Sequence, residues 1–185
     1  HGMFWQGVQP VTGAIYDKFR TAIDANLAIY SSHLPLDAHP EWGNNARLAS
    51  ALGIADPQPF LDFKGLAVGL RAEVELERDA LQAALEAAVG GNVHLCPAGP
   101  STVRQLGIVT GGAGSEIARV AAEGIDTLVT GEGPHWSYTA AEELGVNLLY
   151  GGHYATETFG VKAVGGALEE EFGLPWSFLD HPTGL

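Results

Sequence analysis

From Gln105 onward, short apolar runs alternate with amphipathic segments in a strict rhythm. The runs LGIVT, DTLVT and VNLLY each lead into a glycine-containing turn, and apolar residues then recur at helical spacing. A last short strand is predicted at WSFLD, residues 176–180. Because the strands are apolar at nearly every position and alternate with helices, we expect an α/β fold with mostly parallel sheets flanked by helices.

The first half of the chain has a less regular pattern. Apolar positions recur at helical spacing in three segments, and continuous or glycine-interrupted apolar runs predict strands between them. The predicted helices are residues 12–25, 45–52 and 76–89, and the predicted strands are residues 27–32, 63–74 and the VHLCP run.

Polar clusters follow three successive predicted strands. The clusters are GGAGSE, TGEGPH and GGHYATE, and each stands where a strand gives way to a helix. In parallel sheets, ligands bind beyond the carboxyl ends of the strands. We therefore expect the functional site at this edge.

Composition excludes several classes of function. The net charge of −13 opposes a general nucleic-acid surface and basic anchoring to anionic lipid. No apolar run is long enough to span a membrane. The single cysteine, Cys96, rules out a disulfide within the chain and a Cys-rich zinc site, and we interpret it as a core residue rather than a catalytic thiol. A reducing cytoplasm is the expected compartment.

Two sets of residues are candidate metal ligands. His153 and Glu157 stand four positions apart and so share one helix face, which suits either a divalent metal or a hydrogen bond at a helix start. Asp37 lies in a loop between His33 and His39, where the three residues are ligands, hydrogen-bonding partners or ordinary turn residues.

Glu132 and His135 form a further cluster in TGEGPHW. They suit a general base with its orienting partner, support for a metal site, or a capping turn. The GGAGSE turn is either an anion cradle or a tight connection, and it lacks the lysine of a Walker motif. No Gly-x-Ser-x-Gly elbow supports serine-hydrolase chemistry.

Four stretches, in order, resemble the Nif-three-like dinuclear-metal proteins, often labelled GTP cyclohydrolase 1 type 2 homologues. These stretches cover essentially the whole chain: HGMFW, HLPLDAHPEWGNNARLASALGI, LVTGEGPHW and NLLYGGHYATETFGVKAV. The resemblance implies a two-lobed Nif-three-like fold in which residues 1–185 form a single unit. It also implies the minimal form without the inserted middle domain, and a fragment that lacks the family's N-terminal strands and helices.

The same resemblance implies a site for two divalent ions, which could be Fe, Zn or Mn. The implied ligands are His1, Asp37, His153 and Glu157, with a further family histidine expected just before His1. Glu132 and His135 would take part in proton transfer or support the ligands.

The implied function is a metal-dependent hydrolase that acts through a metal-activated water on a small-molecule or nucleotide substrate. The family label names opening of the guanine ring of GTP. The alternative is a metal carrier, or a metal-dependent hexameric scaffold without turnover. The resemblance also implies a toroidal homohexamer.

Overall fold

The computed structural model describes residues 1–4 and 7–184, so Trp5 of the HGMFW stretch lies outside the described residues. The chain divides into two compact units, His1–Pro35 and Leu36–Leu185. The helices are α1 (Gly13–Asp24), α2 (Leu34–Asp37), α3 (Asn44–Ala51), α4 (Arg78–Val89), α5 (Ile117–Ala122), α6 (Trp136–Leu144), α7 (His153–Thr156) and α8 (Thr158–Phe172). The strands are β1 (Gln58–Phe63), β2 (Leu66–Glu77), β3 (His94–Cys96), β4 (Thr102–Val109), β5 (Thr127–Thr130) and β6 (Asn147–Tyr150).

The first unit contains the predicted helix of residues 12–25, which the structure confirms as α1. Its apolar face borders a cleft of about 280 Å³, and Phe4 packs on Phe19 with ring centroids 5.4 Å apart. The predicted strand at residues 27–32 is wrong. Those residues are extended but pair with no strand in the described chain, and Tyr30 is 92% exposed. An apolar run becomes a strand only where a neighbour satisfies its backbone hydrogen bonds.

The second unit is built on a six-stranded sheet in the order β1-β2-β4-β5-β6-β3. The α/β class is confirmed, with helices flanking the sheet. The predicted parallel pairing holds in the centre, where β4, β5 and β6 run parallel. The three outer pairings, β1–β2, β2–β4 and β3–β6, are antiparallel.

Local turn chemistry explains part of this difference. Lys64 and Gly65 join β1 to β2 with φ of 55° and 85°, the two positive values of a tight hairpin turn, which forces antiparallel pairing. Helices instead connect β4, β5 and β6, as parallel neighbours require. The predicted strand at residues 176–180 is also wrong, because that segment is largely exposed and pairs with no described strand.

Two hydrophobic clusters pack on the sheet. The first joins Leu48 of α3 and Leu85 of α4 to strand residues that include Val129, and the second joins Ile117 of α5 and Ala141 of α6 to strand residues that include Leu128. Because successive strand side chains point to opposite faces, helices cover the central strands on both sides. Within the described residues, no helix is both long enough and apolar enough to cross a membrane.

Candidate metal centre

The three central strands end level with one another. Val109, Thr130 and Tyr150 are aligned in register across β4, β5 and β6. The GGAGSE, TGEGPH and GGHYATE clusters therefore leave the sheet at the same edge, as the sequence predicts.

Backbone hydrogen bonds hold these three loops side by side. The N–H groups of Gly131 and Glu132 both donate to the carbonyl of Gly111, at 2.8 and 2.9 Å, and the Gly152 N–H donates to Gly131 at 2.9 Å. A Cβ atom added at Gly131 would lie 2.6 Å from the Gly111 oxygen. Glycine is therefore needed here because the backbones approach too closely for a side chain.

Thr156 fastens the last loop to the first. Its hydroxyl is fully buried, accepts a hydrogen bond from the Gly111 N–H at 3.1 Å and donates to the Gly152 carbonyl at 2.9 Å. This contact fixes the start of the segment that carries His153 and Glu157.

His153 lies between two carboxylates at this edge. Its Nδ1 is 2.7 Å from Glu132 Oε1, and its Nε2 is 3.4 Å from Glu157 Oε2. We assign the ring proton to Nδ1, because an ionised Glu132 can only accept. Nε2 then presents a lone pair on the side of Glu157, the orientation that a neighbouring carboxylate gives to metal-binding histidines.

Glu157 is the most buried carboxylate of the group, with its side chain 19% exposed. Burial raises its pKa above the usual value, nearby His153 lowers it, and the negative charge of Asp37 raises it again. Its Oε1 lies against Gly111, where an added Cβ would be only 2.1 Å away.

Asp37 is held by two buried asparagines of α3. Its Oδ1 accepts a hydrogen bond from Asn44 Nδ2 at 2.6 Å, and its backbone carbonyl accepts one from Asn45 Nδ2 at 3.2 Å. Asn44 Oδ1 in turn accepts the N–H of Gly160 at 2.6 Å, in the first turn of α8. Asn44 thus connects Asp37 to the start of the helix that Glu157 precedes.

The other candidates lie in different surroundings. His135 is exposed at the start of α6, and its imidazole makes no hydrogen bond within the part of the chain that the structure describes; Glu132 contacts His153 instead. His39 Nδ1 accepts the N–H groups of Glu41 and Trp42, so its ring stabilises a turn. His1 is exposed in the first unit, with its ring 4.3 Å from that of His33.

Sequence reasoning missed the residues that orient the ligands. Asn44, Asn45, Gly111 and Thr156 have no ligand chemistry of their own, yet they hold Asp37 and the loop of Glu157. The available signal was the Gly-Asn-Asn run, because two adjacent asparagines that enter a helix are buried only when their amides are satisfied.

A mixed six-stranded sheet with a cluster of histidine and carboxylate side chains at its central edge defines the class of protein. Residues 1–183 match the family described as Duf34/NIF3 (NGG1p interacting factor 3), and the chain belongs to this family.

Individual relatives agree with this assignment. The chain is 42% identical over 187 residues to a GTP cyclohydrolase 1 type 2 homolog of Deinococcus radiodurans, covering 100% of this chain and 71% of the relative. A protein of the same description from Halobacterium salinarum is 40% identical over 190 residues, covering 100% of this chain and 75% of the relative. The crystal structure of TTHA1606 from Thermus thermophilus is 36% identical with a TM-score of 0.85, covering 98% of this chain and 72% of that one.

Proposed function

We propose that this protein binds divalent metal ions through Asp37, His153 and Glu157, with His1 completing the ligand set as the family resemblance implies. The observation that carries the proposal is the orientation of His153. Glu132 occupies Nδ1, so the lone pair of Nε2 is presented beside a second, more buried carboxylate. This arrangement suits a metal better than a simple surface hydrogen bond, which would leave one imidazole nitrogen to solvent.

The donor set also fits such an ion chemically. Imidazole nitrogen and carboxylate oxygen without thiolate are ligands for Fe, Mn or Zn, and they do not discriminate among these metals. Burial and the charge of Asp37 both raise the pKa of Glu157, so the two carboxylates oppose each other in the protein alone. A bound cation would offset that repulsion.

We further propose that the metal-bound protein is a hydrolase of a small-molecule or nucleotide substrate. A divalent ion at this edge would supply Lewis acidity and lower the pKa of water. A cleft of about 490 Å³ adjoins it, lined in part by Glu132, Tyr150 and His94. The role of Glu132 is to keep the proton on Nδ1 of His153 and hold the ring in place. The names of the relatives, GTP cyclohydrolase 1 type 2 homolog, favour the same class of reaction.

Metal content tests the first proposal. The purified chain is loaded with Fe(II), Mn(II) or Zn(II), desalted, and its metal-to-protein ratio is measured by mass spectrometry. We expect Glu157→Gln and Asp37→Asn to lose at least about tenfold in affinity. Glu171→Gln and His181→Gln are matched controls, because both residues are exposed and distant in sequence from the proposed ligands. Absence of metal uptake by the wild-type chain would refute the proposal.

Turnover tests the second proposal. GTP and p-nitrophenyl phosphate are incubated with the metal-loaded and metal-stripped protein, and products are separated by chromatography. Hydrolysis that requires metal and is lost in Glu157→Gln supports a hydrolase. Stoichiometric metal with no hydrolysis of any substrate class tested would favour a carrier or scaffold instead.

We also propose that the chain assembles as a toroidal homohexamer, as the family resemblance implies. Large apolar side chains are exposed at several places on the second unit, including Phe63, Trp136 and Phe172. Side chains of this kind are enriched at contacts between protein chains.

A further inference from the structure

A second cleft lies between α3 and α8, away from the histidine and carboxylate cluster. Its volume is about 650 Å³. The side chains that matter for its chemistry are Trp42, Arg47, Phe159, Lys162, Glu170 and Trp176. Two of the chain's nine Lys and Arg residues therefore line one cleft of a protein with a net charge of −13.

Arg47 has an unusual environment in this cleft. Its Nε is buried without a hydrogen-bond partner. Within the described residues, its guanidinium makes no hydrogen bond and no ion pair. Arginine stays charged at every physiological pH, and a partly buried cation without a counter-ion is unfavourable. The terminal nitrogens of Arg47 are thus donors that lack an acceptor.

The neighbouring charges do not supply that acceptor. Glu41 and Glu170 line the same cleft, yet neither pairs with Arg47. Glu169 accepts the indole N–H of Trp176 at 3.1 Å. Lys162 donates to Thr158 Oγ1 at 3.2 Å and lies over the ring of Phe178 at 4.3 Å. Lys162 therefore adds a second positive charge without neutralising the first.

Two tryptophans provide planar walls that are already held in place. Trp42 stacks on His39, with ring centroids 4.9 Å apart and an interplanar angle of 7°. Trp176 packs against the backbone of α8 at Gly165, where an added Cβ would lie 2.6 Å from the indole. Aromatic faces fixed in this way bind planar rings without a further loss of side-chain entropy.

We propose that this cleft binds a small planar anion, an aromatic ring that carries a phosphate or carboxylate group. The anionic group binds the terminal nitrogens of Arg47 with Lys162 nearby, and the ring packs against the tryptophan walls. Glu41 and Glu170 disfavour ligands with several negative charges. The site requires no metal, so it is independent of the proposed metal centre.

Calorimetric titration of the metal-stripped full chain tests the proposal. The probes are adenosine monophosphate and 4-hydroxybenzoate, which separate phosphate from carboxylate recognition. We expect at least one probe to bind, and Arg47→Gln to weaken that binding about tenfold or more. Arg71→Gln is the matched control, because Arg71 is exposed on β2. Glu157→Gln should bind normally, which separates this site from the metal centre.

The ligand requirements give further checks. Adenosine, which lacks the anion, should bind at least about tenfold more weakly than adenosine monophosphate, and adenosine triphosphate no more tightly than the monophosphate. The bound probe should raise the thermal midpoint of the wild type and of Arg71→Gln, but not that of Arg47→Gln. Failure of both probes to bind, equal binding by Arg47→Gln, or equal binding of adenosine would overturn the proposal.

Discussion

A single glycine controls how closely Glu157 approaches the first strand-end loop. Gly111 has φ of +73°, and the space that its Cβ would occupy already holds Glu157 Oε1. Any side chain here meets two separate penalties, a left-handed backbone and a displaced carboxylate.

Gly111→Ala should therefore destabilise the protein and weaken metal binding, whereas Gly124→Ala should only destabilise it. Gly124 has a similar φ of +82° but open space around its Cβ, so it reports the backbone penalty alone, about 1–2 kcal/mol. Urea denaturation and metal titration of both variants separate the two effects. Equal metal affinity in the two variants would mean that Gly111 has no role in positioning Glu157.

Cys96 should behave as an inert core thiol. It is fully buried, and burial raises its pKa above the usual value. At pH 8, an aromatic disulfide reagent should react with it at least about a hundredfold more slowly in the native protein than in guanidinium, since the thiolate is the nucleophile and unfolding exposes it. Because the folded thiol keeps its proton longer than the unfolded one, its contribution to stability is constant below about pH 8.5 and is lost as pH rises further. Rapid native labelling would contradict this interpretation.

Helix α3 acts as a connecting element between the Asp37 loop and the rest of the second unit. Asn45 accepts the N–H of Thr110 at 2.8 Å and donates to the carbonyl of Val68 at 2.9 Å, so it bridges β2 and the end of β4. Asn44 satisfies an N–H in the first turn of α8, where the residue before the helix provides no side-chain cap. The paired asparagines thus do the work of a cap and a strand bridge from a distance.

Removing Asn44 should affect the metal centre more than removing Asn45. Asn44→Ala leaves the buried Gly160 N–H without a partner and releases Asp37, and we expect about 2–3 kcal/mol of destabilisation together with weaker metal binding. Asn45→Ala should lose similar stability while retaining more metal affinity, because it contacts only the backbone of Asp37.

Exposed Asn92 makes no side-chain hydrogen bond within the described residues, so Asn92→Ala serves as the control. Denaturation and metal titration of the three variants provide the measurements. Unchanged stability in Asn44→Ala would show that the bridge to α8 contributes little.

The elements that local pattern predicted correctly are those in which burial and periodicity agree. From Gln105 onward, each apolar run is a central strand and each amphipathic segment a helix, because helices cover both faces of that part of the sheet. The pattern failed at residues 27–32 and 176–180, which are apolar but unpaired. It also merged the turn at Lys64 and Gly65 into one strand, although positive φ at a lysine follows from the hairpin rather than from composition.

The site was predictable only as far as its chemistry is local. His153 and Glu157 share a short stretch, and sequence spacing alone put them together. The contact between Asn44 and Gly160 spans 116 positions, and that between Asn45 and Thr110 spans 65. No periodicity reports such contacts, so the orientation of Asp37 required the fold.

At the scale of the whole molecule, a surface with both a large negative charge and exposed aromatic groups needs an explanation. Like charges disfavour nonspecific association, so the net charge of −13 keeps acidic chains apart unless a specific contact forms. Exposed Phe63, Trp136 and Phe172 would remain in water in a monomer. A closed symmetric assembly buries such side chains without further growth.

The proposed homohexamer has a direct consequence for mass. Six copies of the 19.4-kDa chain give about 116 kDa, and sedimentation equilibrium should return that value over a tenfold dilution if the ring is closed. Added salt should not dissociate the ring, because screening weakens the repulsion between acidic copies while leaving apolar contacts intact. A species of about 19 kDa at every concentration would contradict the proposal, and a mass that grows with concentration would indicate an open, nonspecific association instead.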